Sequence, residues 1–142
     1  MNAAILGVDA GSKRIGIAIC ERAELPAVPL TTVAHASRAK DAAAIAKIAG
    51  ARGARTIVVG YPLRLDGSRG PAAENVDKLV DALRAVFDGE VVAVDERLTS
   101  GAAQAKLRAL GMKASARRKV VDRMAAVEIL ETFRAGLNRG VP

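Results

Sequence analysis

Three acidic residues stand where an apolar element ends or turns inward, and together they would suit a divalent cation. Asp9 closes the nonpolar run Ala4–Asp9 (AILGVD) and faces the turn Ala10-Gly11-Ser12, where backbone amides can open toward phosphate oxygens. A carboxylate beside a buried strand is costly unless it is paired, hydrogen-bonded or bound to a metal. The plain alternative is a turn aspartate that accepts from the Gly11 and Ser12 amides. Glu96 follows a second apolar run, Val91–Val94 (VVAV), at the strand end where parallel α/β sheets place their ligands. Its neighbour Asp95 points to the opposite face, so normally only one of the two joins a given site. Arg97 offers a simple ion pair to either. Asp122 shares a helical stripe with Ala126, Ile129, Phe133 and Leu137, the surface such a helix turns toward a sheet. Small Ala125 and Ala126 leave room beside the carboxylate. The alternative for Asp122 is a first-turn aspartate favoured by the helix dipole, in a helix starting near Arg118.

The donor set decides which cation this would be. His35 and Cys20 are the only histidine and cysteine, which excludes a His-rich zinc site and an internal disulfide. Oxygen-only ligands suit Mg²⁺ or Mn²⁺. Two such ions about 3.5–4 Å apart can stabilise the attacking and leaving oxygens of phosphodiester cleavage. The charge distribution agrees with a polyanionic partner. The formal net charge is +7, and residues 97–123 hold eight basic side chains against one acid. Clustered lysines and arginines bind nucleic acid by displacing counterions. Aromatic residues make up only 2% of the chain, which argues against platforms for base stacking.

The elements that must position these residues follow from pattern and turn chemistry. Ala4–Asp9 and Arg14–Cys20 (RIGIAIC) flank a tight glycine turn and read as a hairpin. Val28–Val33 reads as a third strand, with Pro29 near its start or on an edge. Ser37 caps a helix with Asp41 in its first turn, running to about Gly53. Thr56–Gly60 (TIVVG) is a strand covered on both faces, and Tyr61–Pro71 is a loop with a turn at Asp66-Gly67. Val76, Leu79, Val80, Leu83 and Phe87 form the stripe of the next helix, ended by Gly89. After Val91–Val94 come a helix at Ala102–Leu110, a basic connection Met112–Arg118 and a last helix to about Ala135. The order βββ-α-β-α-β-α-α implies a mixed α/β sheet with helices on both faces. One domain spanning residues 1–142 is expected at this length. The chain holds no apolar run long enough for a membrane span, and it reads as cytoplasmic.

Four blocks resemble the YqgF/RuvX family, described as Holliday-junction-resolvase-like or as pre-16S rRNA nucleases. They are Leu6–Ala18 (LGVDAGSKRIGIA), Gly60–Gly70 (GYPLRLDGSRG), Asp95–Ser100 (DERLTS) and Val121–Leu130 (VDRMAAVEIL). The resemblance implies a ribonuclease H-like fold, with three antiparallel strands followed by two parallel ones. It also implies a bacterial nuclease that matures the 5′ end of 16S rRNA, with Asp9, Glu96 and Asp122 as its catalytic and metal-binding acids. Lys13, Arg14, Arg64, Arg69 and Arg97 lie in the motif blocks and would meet phosphates, joined by Arg117, Arg118 and Lys119 of the basic segment. The second strand ends Cys20-Glu21, where a Ser-Asp-like ending is the family pattern. Resolvases of the RuvC kind carry their second acid after the strand that here ends Gly60-Tyr61-Pro62. This chain has none there and relies on Glu96.

Other readings stay open at this point. The same site could resolve branched DNA, or the basic surface could serve a non-catalytic RNA-binding assembly factor. Asp9-Ala10-Gly11-Ser12 also resembles the first phosphate loop of sugar kinases and actin-like ATPases. Those proteins enclose a nucleotide between two such domains. Nothing in the sequence signals a dimer, and a weak homodimer is compatible with it.

Overall fold

The computed structural model describes residues 3–22, 24–96 and 114–136, with residues 114–122 described by their backbone alone. Strands β1 (Ala4–Ala10), β2 (Arg14–Cys20) and β3 (Val28–Ala34) form an antiparallel meander. Strands β4 (Ala54–Tyr61) and β5 (Glu90–Asp95) then add parallel to β1, giving the order β3-β2-β1-β4-β5. This is the mixed five-stranded sheet expected from the sequence. Pro29, with no amide to donate, sits on edge strand β3 opposite Ala18, where the register shifts.

Alternation along the central strands assigns the two faces. Leu6 and Val8 of β1, Ile57, Val59 and Tyr61 of β4, and Val91 of β5 pack under helices α1 (Arg38–Ala51) and α2 (Pro71–Val86). The α2 stripe Val76, Leu79, Val80 and Leu83 is buried there, as its spacing predicts. Val58 of β4 and Val94 of β5 face the other way, onto Ala126, Ile129 and Leu130 of α3 (Ala114–Arg134). Ile57, Val58 and Val59 are fully buried in succession, as a central parallel strand requires. Burying each such side chain contributes roughly 1.5–3 kcal/mol.

Several boundaries differ from the sequence reading. Strand β4 runs from Ala54 to Tyr61 rather than Thr56 to Gly60, because pairing with both β1 and β5 extends it at both ends. Helix α1 begins at the expected cap, the Ser37 hydroxyl accepting from Lys40 N at 3.2 Å, and stops at Ala51 before left-handed Gly53. Helix α3 begins at Ala114, so Arg117 and Arg118 lie in a helix, with Lys119, and not in a connection. The reason is local, since no Gly or Pro interrupts residues 113–135 and Ala, Arg and Lys are good helix formers. The expected helix at Ala102–Leu110 lies outside the described residues. Among the described residues no helix is long and apolar enough to cross a membrane.

The seating of α3 on β1 depends on Gly7. A Cβ there would stand 2.5 Å from Leu130 Cγ and 2.8 Å from the Ala126 carbonyl oxygen. The carbonyl belongs to the helix backbone and cannot swing aside. Gly7→Ala should therefore destabilise the fold by about 1–3 kcal/mol, the usual cost of overpacking. Denaturant unfolding measures this, and an unchanged midpoint would show that α3 is not seated on β1.

Candidate functional site

The parallel trio β1, β4 and β5 ends at one edge of the sheet, and that edge collects the acids. By alternation Asp9 and Glu96 both fall on the α3 face, while Asp95 falls on the other. Strand β4 lies between their strands, and two strand spacings amount to about 9.6 Å. The intervening position is Gly60, one residue past the last β1–β4 pair, Val8 with Val59. A Cβ on Gly60 would stand 2.5 Å from Glu96 Oε1 and 2.5 Å from Ile129 Cδ1. With no side chain at Gly60, Glu96 reaches across β4 and hydrogen-bonds Asp9.

This approach settles part of the ambiguity at Asp9. The Gly11 amide does not cap Asp9 or open toward solvent; it donates to the Arg14 carbonyl at 2.9 Å and closes the hairpin. Asp9 has a second carboxyl as its partner. Burial raises the Glu96 pKa first, then the hydrogen bond to Asp9, then the charges of Asp9 and Asp95, and together they push it up to about 8. Two carboxyls this close share a proton when no cation is present. A divalent cation can replace that proton, as metals do at acid sites. Donor chemistry and the half-buried acid pair therefore fit an oxygen-ligated metal, which Asp9 and Glu96 would hold.

Asp122 is the ninth residue of α3, so it is not a first-turn aspartate and the dipole alternative does not apply. Its backbone lies one turn before Ala126, which is fully buried with Ile129 against the sheet. Among the described side chains no group of three or more His, Cys, Asp or Glu converges. Arg97 lies outside the described residues.

The described basic candidates of the motif blocks, Lys13, Arg14, Arg64 and Arg69, lie in the turn after β1, at the start of β2 and in the loop after β4. Lys13 and Arg14 follow the hairpin turn, and Arg14 lines a groove with Thr31, Thr32, Ala34 and Arg123. Arg64 lays its guanidinium over Gly70, where a Cβ would come within 2.9 Å of Nε. Arg69 has a local task as well. It donates to Tyr61 Oη at 2.7 Å and pairs with Asp77, while Tyr61 Oη donates to Asp77 at 3.2 Å. Burial, and then this bond to Asp77, raise the Tyr61 pKa. The trio ties the loop after β4 to α2.

Sequence reasoning missed a buried cluster behind the hairpin turn. Asp41, 1% exposed, accepts from the Ala36 amide at 2.9 Å, from Arg38 Nη1 at 3.2 Å, and pairs with His35. Arg38 also reaches the Gly11 carbonyl at 3.5 Å, and the His35 amide donates to the Lys13 carbonyl at 3.0 Å. The cluster fastens the start of α1 to the turn that follows Asp9. Its one sequence signal was Asp41 behind Ser37, which reads equally well as an ordinary helix start.

Comparison with known proteins supplies the lineage. The family model described as "RuvX: Holliday junction resolvase" matches residues 3–135. The chain belongs to the RuvX family. A RuvX-family relative from Chloroflexus aggregans, named "Putative pre-16S rRNA nuclease", is 43% identical over 129 residues, covering 91% of each chain. One of the same name from Syntrophus aciditrophicus is 42% identical, covering 91% of this chain and 86% of the relative. Among solved structures, Thermus thermophilus RuvC superposes with a TM-score of 0.59 at 15% identity, covering 97% of this chain and 99% of that one. The same protein bound to a Holliday junction superposes equally well at 19% identity. That likeness confirms the ribonuclease H-like fold. As a member of this nuclease family, the chain hydrolyses phosphodiester bonds in nucleic acid.

The shared proton has a measurable signature in the metal-free protein. Unfolded, Glu96 would ionise near 4.5; folded, it holds its proton to about 8. The stability this contributes is full below the lower value and is lost as pH rises through the upper one. In chelator, wild type should lose more stability than Glu96→Gln as pH rises from about 4.5 to about 8. Parallel pH profiles of the denaturation midpoint for the two proteins would dispose of the shared proton.

Proposed function

We propose that this chain is an Mg²⁺- or Mn²⁺-dependent nuclease of structured RNA whose task is 5′-end maturation of precursor 16S rRNA. The observation that carries the reading is the Asp9–Glu96 pair, two carboxyls brought together across Gly60 at the edge where the parallel strands end. Asp9 is the central ligand, Glu96 the second, and Asp122 the third from the sheet-facing side of α3. When bound, the metal lowers the pKa of an attacking water and stabilises the leaving oxygen. Lys13, Arg14, Arg64, Arg69, Arg97, Arg117, Arg118 and Lys119 hold the substrate backbone through its phosphates. The domain is residues 1–142, acting in the bacterial cytoplasm where ribosomes are assembled.

The choice of RNA draws on relatives more than 40% identical that carry the pre-16S rRNA nuclease name. The family description favours a second reading, resolution of branched DNA. Symmetric cutting of a four-way junction needs two active sites, so that reading also requires the weak homodimer. The two separate in one experiment: precursor 16S rRNA and a four-way DNA junction, incubated side by side with each divalent ion. RNA should be cut and the junction left intact. Asp9→Asn, Glu96→Gln and Asp122→Asn should each reduce cleavage to the level of a chelator control while leaving RNA binding in place. Cleavage by Asp9→Asn at the wild-type rate would end the metal-nuclease reading.

Binding has its own test. Replacing Arg117, Arg118 and Lys119 with Gln should weaken RNA binding irrespective of sequence. The slope of log K against log salt should flatten by about 0.7–0.9 for each phosphate that these side chains no longer neutralise. A slope equal to that of wild type would place the binding face away from α3.

A further inference from the structure

Glu96 also forms part of the wall of a cavity beside the acid pair. It measures about 300 Å³ and opens at the carboxyl ends of β1 and β4, with Ser12, Arg38, Ala72 and Asn75 also in its lining. We infer that this cavity is a second phosphate subsite, built on Arg38, which holds the phosphodiester next along the strand from the one cleaved. The inference rests on the nuclease reading for its position in the substrate, and on Arg38 for its chemistry.

Arg38 is an unusual lining residue, because only 11% of its side chain is exposed. Its guanidinium carries five N–H donors. Three have protein acceptors: Asn75 Oδ1 from Nε at 3.2 Å, Asp41 Oδ2 from Nη1 at 3.2 Å, and the Gly11 carbonyl from Nη2 at 3.5 Å. Its two remaining N–H donors have no acceptor among the described residues. An anionic acceptor in the cavity would make charge-assisted bonds to them, stronger than those of water. The three bonds also hold the fork rigid, which is what oriented capture of a phosphate requires.

The other walls match the same ligand. Ser12 supplies a hydroxyl. Helix α2 begins at Gly70 with no side-chain cap and Pro71 as its first residue, and Ala72 presents the first turn to the cavity. Among the described residues no Trp or Phe lines the space, so none of them offers a stacking partner for a base. A cavity at the lower end of the usual ligand range, roughly 300–1,000 Å³, admits a phosphate with part of its sugar. Among the described residues Glu96 is the one carboxylate in the lining. It marks the side of the cavity that abuts the cleavage site.

The test uses Ala72→Glu, which puts a carboxylate into the cavity without touching the Arg38–Asp41 cluster. A glutamate in the first turn suits the helix dipole, so the variant should fold. Isotope-labelled wild type is titrated with inorganic phosphate in the absence of divalent ions. The Arg38 Nε–H and the Ser12 and Ala72 amide resonances should shift together. Ala72→Glu should bind phosphate at least about tenfold more weakly, and so should Arg38→Gln once its fold is verified by its melting curve. In RNA binding, Ala72→Glu should reduce the salt slope by about 0.7–0.9, as expected when one phosphate goes unneutralised. No shift at Arg38 in wild type, or unaltered phosphate binding by Ala72→Glu, overturns the subsite. Because the titration involves no cleavage, phosphate binding by a chain that cuts no RNA would overturn the nuclease reading and leave the subsite standing.

Discussion

Two carboxyls on strands that are not neighbours can share a proton only where the strand between them gives way, and at Gly60 it does. Everything around the site serves that approach. The parallel pairing of β1, β4 and β5 brings three strand ends to one edge. Alternation turns Asp9 and Glu96 to the same face, and Asp95 to the other. Ile129 presses on the same glycine from α3, so the helix packs against the strand at the point where Glu96 crosses it. The packing of α3 and the reach of Glu96 are therefore one arrangement.

The opposite face answers a different need. A site for a polyanion must not only hold metal; it must also keep the turn after Asp9 from drifting. Asp41, buried in the first turn of α1, binds Ala36, His35 and Arg38, and Arg38 reaches forward to Gly11. The chain between β3 and α1 is thus fastened to the hairpin that carries Asp9. A buried carboxylate with several partners is costly to break, since removing one partner strands the others in low dielectric.

Much of this was legible in the residues. The strands and the stripes of α2 and α3 follow from period and composition, because burial on two faces leaves an apolar run and burial on one leaves a stripe. Asp9 and Glu96 were legible as strand-end acids. What brings them together was not, because Gly60 looked like the end of a strand rather than a passage between side chains. The Arg38–Asp41–His35 cluster was hidden for a similar reason. Its members are scattered over seven residues of a loop and a helix start, and only the third dimension makes them a unit. The start of α3 was placed too late because a run of positive charge resembles a loop, while Ala, Arg and Lys in fact sustain a helix.

The glycine beneath Glu96 also bears on how such sites change over time. An acid at position 60 would collide with Glu96, and losing Glu96 while keeping glycine would leave one carboxyl without its partner. Neither single step is neutral; only the pair of changes preserves the site. The two positions are thus epistatic, coupled by direct touch in the sense that double-mutant cycles measure. A lineage that has adopted one arrangement is held there by the geometry of its own sheet.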